Sequence, residues 1–195
     1  MQILPEDPVK RGRLQLVVLI AVFVLPLVGS GLAYFFGWST GQTSNYGALI
    51  EPRPVPPIAL RAPDGRRAGL GALRGKWILL QFAAPACDAR CERNLYTMRQ
   101  ARKALGLDES RVERVWILLG EGQPAPRLLE AISGTWVLRS DDPAFLAAFP
   151  AEHDLGDHIF LIDPRGNLML RFPRDADPSG VIKDLRRLLK YSAIG

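Results

Sequence analysis

Residues 76–105, KWILLQFAAPACDARCERNLYTMRQARKAL, decide how the rest of the chain is read. Trp77 to Phe82 is apolar throughout except for Gln81, the pattern of a central strand covered on both faces. A short loop containing Pro85 follows. From Glu92 the period changes, with Leu95, Met98, Arg99, Arg102 and Leu105 recurring at helical spacing. Cys87 and Cys91, the only two cysteines, stand where strand gives way to helix. A thiol at the head of a helix meets unpaired backbone N–H groups and the positive end of the macrodipole, which favour its thiolate.

Outward from this unit, the N-terminal side is membrane-like. Leu14 to Phe36, LQLVVLIAVFVLPLVGSGLAYFF, is 23 residues without a charge. At a helical rise this covers about 35 Å, enough for a hydrocarbon core of about 30 Å. A cleaved signal peptide is the competing reading. The run exceeds the roughly 7–15 residues of a signal-peptide core, and Tyr34 and Trp38 form an aromatic collar. An uncleaved anchor over 14–38 is therefore expected. Lys10, Arg11 and Arg13 precede it, and no charge follows until Glu51. Positive-inside orientation makes 1–13 a cytoplasmic tail and sends everything after Trp38 across the membrane. In a bacterium this is a single-pass protein of the inner membrane with its C-terminal domain in the periplasm, where disulfides form. Residues 39–57, ending EPRPVPP, read as an extended Pro-rich linker, with the globular domain spanning 58–195.

Net charge is +5, but the basic residues are scattered and no nucleic-acid-binding motif accompanies them, so nucleic acid is not the expected partner. Two cysteines cannot staple a small secreted fold; they can make one redox pair or one soft-metal site.

After the cysteine helix, residues 112–119 (VERVWILL) predict a second buried strand. Short helices are expected at 127–133 and 143–149, with a brief strand at 136–138. Asp163-Pro-Arg-Gly166-Asn167 is a hairpin signal between strands at 158–162 and 168–172. Pro63-Asp64-Gly65 is a turn signal. Residues 179–190 form an amphipathic helix with Val181, Ile182, Leu185, Leu188 and Leu189 on one stripe. A βαβ unit followed by ββα gives an α/β fold: a thioredoxin-like mixed β-sheet flanked by helices, preceded by one N-terminal transmembrane helix.

Two stretches carry a family likeness. PDGRRAGLGALRGKWILLQFAAPACDARC resembles the leader, strand and cysteine pair of thioredoxin-like proteins, and HIFLIDPRGNLMLRF is similar to their second hairpin. The three-residue gap between the cysteines, the single anchor and the histidine before the hairpin resemble the Sco (SenC) group. The likeness covers roughly 58–189. It implies a membrane-tethered factor for cytochrome c oxidase assembly, acting in copper delivery or thiol reduction at the oxidase copper site. It also implies an oxidase subunit or another assembly factor as partner. Glu92 stands where that group carries proline, and Gly156 or Asp157 stands where thioredoxins carry a cis-proline.

The spacing constrains the chemistry. On a regular helix, residues four apart have Cβ atoms about 5–6 Å apart, whereas a disulfide needs about 3.5–4.5 Å. Cys87 must therefore lie in the loop or at the cap, with Cys91 in the first turn, if the pair is oxidised. Two thiolates so placed can also converge on Cu(I), with His158, or alternatively His153, as third ligand. Zinc fits less well because a structural site usually wants four protein ligands. His158 can equally be a packed strand residue, and Asp157 can orient it or merely shape the turn. A peroxidase lacks support, since Ala84 occupies the position three before Cys87 where a threonine is needed. Three functions stay open: a copper-binding assembly factor, a thiol–disulfide oxidoreductase of the extracytoplasmic space, and a non-catalytic docking module.

Overall fold

The structure, a computed structural model, describes residues 8–36, 45–57, 60–62, 67–192 and 194. The chain divides into two compact units, Met1–Thr43 and Ser44–Gly195. Among its described residues the first holds one helix, α1 (Pro8–Phe35), with Pro26 inside it. Its segment Gly12–Phe35 is long and apolar enough to cross a membrane. The successive residues Leu16, Val17, Val18, Leu19 and Ile20, which point in all directions, are all exposed. An apolar surface around the whole circumference suits a helix surrounded by lipid rather than one packed on a single face.

The second unit is built on an eight-stranded sheet. Its strands are β1 (Ala48–Pro54), β2 (Leu60–Arg61), β3 (Arg67–Ala68), β4 (Trp77–Ala83), β5 (Val112–Leu118), β6 (Trp136–Arg139), β7 (Ile159–Ile162) and β8 (Asn167–Arg171), and their order is β1-β8-β7-β4-β5-β6-β2-β3. β4 and β5, and β5 and β6, run parallel; the other neighbours are antiparallel. The mixed thioredoxin-like sheet expected from the βαβ and ββα pattern is thus present. The helices are α2 (Ala89–Lys103), α3 (Pro126–Ala131), α4 (Pro143–Leu146) and α5 (Pro178–Tyr191).

Alternation along β4 sorts its side chains to two faces. Trp77 and Leu79 pack with Met98 and Ala101 of α2 and with Val181, Leu185 and Leu189 of α5. Ile78, Leu80 and Phe82 pack on the other face, where α4 contributes Phe145. There Phe82, Phe145, Phe149 and Phe160 meet edge to face, with centroids 4.8 Å apart for Phe82–Phe149 and 5.2 Å for Phe149–Phe160. This geometry suits the aromatic quadrupole. The hairpin follows its turn signal: Asp163 Oδ1 accepts from the N–H groups of Arg165 and Asn167, and Gly166 takes φ 91°.

The Pro-rich stretch behaves differently from the expected linker. Residues 48–54 form β1, which adds to the outer edge of β8. Pro52 and Pro54 cannot donate to a ladder, but an edge strand leaves one side free, and the register shifts between Leu49 and Arg53. The compact unit accordingly begins at Ser44, ahead of the Ile58 that composition suggests. Ile58 itself, the 39–44 part of the linker and the Pro63-Asp64-Gly65 turn lie outside the described residues.

The entry of β1 is clamped to α5. Asp184, 2 % exposed, accepts from the N–H groups of Tyr46 at 3.0 Å and Gly47 at 2.8 Å. Tyr46 Oη in turn accepts from the Asp177 N–H at 2.8 Å. Gly180 is needed for this contact, since a Cβ there would lie 2.4 Å from the Tyr46 ring.

Candidate redox site

β4 delivers the chain to a turn closed by the Cys87 N–H donating to Ala84 O at 3.0 Å. Asp88 is the N-cap of α2, and its Oδ1 accepts from the Cys91 N–H at 2.8 Å. A capping carboxylate satisfies one of the helix's orphan donors and fixes where the helix starts. Cys87 therefore precedes the cap and Cys91 sits in the first turn. Cys87 has φ 31°, a left-handed conformation rare outside glycine. This bend brings the Cα atoms to 5.2 Å, and Cys87 and Cys91 are joined as a disulfide.

The two sulfur-bearing residues are unequal. Cys91 is 3 % exposed, packed with Leu95, Trp116, Leu118 and Ile132, whereas Cys87 is half-buried at the edge of that cluster. Below Cys91 lies Gln81, completely buried on β4. Its Nε2 donates to Cys91 Sγ at 3.3 Å and to Cys91 O at 3.4 Å. Its Oε1 has no partner among the described residues.

Charge around the pair is mixed. The Asp88 carboxyl is held below its ordinary value, first by the Cys91 N–H, with exposure to Arg90 and Arg93 adding to this and slight desolvation opposing it. Arg90 pairs with Asp157, which is 3 % exposed, and lies 3.7 Å from Asp88. Arg174 Nε stands 3.9 Å from Asp157. Arg90 thus ties the cysteine helix to the 3-10 turn Leu155–Asp157 ahead of β7. Asn94 adds a second tie by donating to Gly156 O at 3.3 Å. Gly156 also passes close to β4, since a Cβ there would lie 3.1 Å from Phe82 O.

His158 is 6 % exposed and directly follows that turn; β7 begins one residue later than expected. Its Nδ1 lies 2.9 Å from Phe172 O. A carbonyl only accepts, so Nδ1 carries the proton and Nε2 keeps a lone pair. Burial pushes the imidazole below its ordinary value; the Phe172 bond opposes this and Arg171 reinforces it. Asp157, expected either to orient the ring or to shape the turn, lies in the turn and engages Arg90. His158 lines a cleft with Tyr46, Glu152, His153, Arg171 and Arg174, and neither cysteine lines it. His153 is exposed.

Cys87 and Cys91 of the expected Cu(I) set with His158 are bonded to each other in this oxidised form, and no group of three His, Cys, Asp or Glu side chains able to hold a metal ion forms among the described residues. Both sulfurs are spent on each other, and the guanidinium of Arg90 pairs with Asp157, the residue before His158. In the oxidised form the donor set does not fit the ion.

Sequence reasoning reached the cysteines but not the roles of Gln81, Asp88 and the Arg90–Asp157 pair. Gln81 was visible as the one polar residue in an apolar strand. Asp88, a good cap residue ahead of a helical period, signalled the helix start. The Arg90–Asp157 pair joins residues remote in sequence, and nothing local announces it.

A mixed sheet whose central strand leads through a cysteine pair into a helix defines a thioredoxin-like protein. More narrowly, the chain belongs to the family described as "Transmembrane-like, thioredoxin-like, C-terminal domain", which matches residues 77–192. Among curated proteins no match was found. Among solved structures, apo Sco1 from Thermus thermophilus is similar at 22 % identity and TM-score 0.60, covering 74 % of this chain and 97 % of that one. ScoI from Arabidopsis thaliana, with copper bound, aligns at 18 % identity and TM-score 0.57, covering 72 % and 100 %. The thioredoxin domain of a thiol-disulfide oxidoreductase from Bacteroides vulgatus aligns at 16 % identity and TM-score 0.55, covering 72 % and 99 %. At such identities these likenesses establish the fold.

Proposed function

We propose that this chain is a membrane-tethered thiol–disulfide exchange protein of the Sco type, reducing or oxidising cysteines of a partner in cytochrome c oxidase assembly. The observation that carries the reading is the Cys87–Cys91 disulfide with one half-open and one sealed member. The basic flank Lys10, Arg11, Arg13 supports placing the domain outside the cytoplasm, in a bacterium the periplasm.

In the exchange, a partner thiolate attacks Cys87 Sγ and the Cys87–Cys91 bond breaks. Its electron pair leaves on Cys91 as thiolate, and Cys87 is held in a mixed disulfide with the partner. A second partner thiolate then attacks the partner's own sulfur and expels Cys87 as thiolate. The partner ends oxidised by two electrons and this chain ends as a dithiol. Read backwards, the same steps reduce a partner disulfide, with Cys91 resolving the intermediate.

The test uses the full chain in detergent with a peptide carrying an intramolecular disulfide, and mass spectrometry. Cys91→Ser should accumulate the peptide on Cys87, and Cys87→Ser should accumulate none. A native disulfide that resists dithiothreitol until the protein unfolds would overturn the reading.

A second reading, carriage of Cu(I) as cargo, is supported by His158, whose neutral ring keeps Nε2 free for a soft ion once the cysteines are reduced. It predicts that the reduced protein retains one Cu(I) and that His158→Ala loosens it. Retention by wild type and His158→Ala alike would exclude the histidine from the site.

A further inference from the structure

Gln81 is an expensive residue at its position. It shares the face of β4 that carries Trp77 and Leu79, where a leucine or methionine would bury without leaving a polar atom unpaired. Instead its Oε1 is buried without a partner among the described residues, a cost the fold has no structural reason to bear. What the residue obtains is a single polar neighbour, Cys91, reached by both hydrogens of its amide: Sγ at 3.3 Å and the main-chain O at 3.4 Å. The main-chain contact is redundant for holding α2, which already has the Asp88 cap, the Asn94–Gly156 tie and the Arg90–Asp157 pair. The Sγ contact is not redundant. A divalent disulfide sulfur is a weak acceptor, whereas a thiolate is a strong one, so an N–H aimed at Sγ favours the state in which Cys91 has left. At 3 % exposure Cys91 has little water to do this instead.

We propose that Gln81 is a positioning residue that makes Cys91 the leaving and resolving thiolate of the pair, and so directs a partner's attack to Cys87. This rests on the exchange reading above and adds to it a direction. The attacking thiolate bonds to Cys87, the disulfide's electron pair settles on Cys91, and the Gln81 amide donates to the charge that forms there. No proton transfer is asked of Gln81, which has none to give. Exposure of Cys87 and stabilisation of Cys91 act together: one sulfur is reachable and the other is the better leaving group.

The test is the pH titration of Cys91 as thiolate absorbance in the full chain, with Cys87→Ser so that one thiol titrates. Gln81→Leu and the nearly isosteric Gln81→Met should each raise the Cys91 pKa by about one unit, the worth of one hydrogen bond to a charge. With both cysteines present, reduction by dithiothreitol should slow about threefold to fivefold in either variant as the leaving group becomes poorer. Melting temperature should stay level or rise. An unchanged Cys91 titration in both folded variants overturns the proposal, as does a fall in melting temperature with no change in titration, which would make Gln81 a structural tie. Because the titration needs no partner, it decides Gln81 even if the disulfide proves inert and the exchange reading fails.

Discussion

Gln81 and Asp184 are the most deeply buried polar side chains among the described residues, and they are held in opposite ways. Asp184 on α5 has its carboxylate met by two backbone donors, Tyr46 and Gly47, one to each oxygen. Gln81 on β4 has its amide nitrogen engaged with a cysteine and its oxygen left over. The first is the signature of a group kept for the fold, because its removal strands two donors. The second is the signature of a group kept for something other than the fold, because its removal would relieve a buried unpaired atom.

Substitutions sharpen that contrast. The largest loss is expected for Asp184→Ala, about 3 kcal/mol in denaturant unfolding, since two hydrogen bonds to a charge disappear and the N–H groups of Tyr46 and Gly47 stay behind. The cysteine titration of that variant should not move, which separates the two regions. Opening the disulfide comes next. Freeing a five-residue loop costs about 2 kcal/mol on the chain-entropy account, to be read as the difference between oxidised and reduced unfolding. A smaller effect belongs to His158. Its folded value lies below the ordinary 6.5, so the unfolded chain binds the extra proton. Stability should therefore decline as pH falls through about 6.5 and level off beneath the folded value, and His158→Gln should flatten that slope. The smallest is Gln81→Leu, with no loss of stability or a slight gain. A loss as large as that of Asp184→Ala would erase the distinction between the two groups.

Much of this architecture could be read from the chain. The apolar run of β4, the periodicity of α2 and the Asp-Pro-Arg-Gly-Asn turn each have a local cause, and each appears where its pattern points. The amphipathic stripe of α5 is buried as Val181, Leu185 and Leu189. β1 was not legible because prolines usually argue against a strand; only the free edge of β8 makes them acceptable, and that edge is a tertiary fact. Likewise the positions of Cys87 before the cap and Cys91 within the first turn follow from Asp88. The partner of Asp157 does not follow from sequence, since Arg90 comes from a different helix. His158 shows the limit most clearly. Its neighbour Asp157 left open either a carboxylate partner or a turn, and the ring turns to Phe172 O, fourteen residues on.

The clasp at Tyr46 also has a mechanical side. The chain enters the domain through β1 and is fastened at once to the last helix, while β4, with the sulfur pair at its end, stands three strand spacings inward, roughly 14 Å. A pull on the chain ahead of Tyr46 would be borne by shear across the β1–β8 ladder and by the Asp184 anchor. The sulfur pair, at the end of an inner strand, lies off that load path.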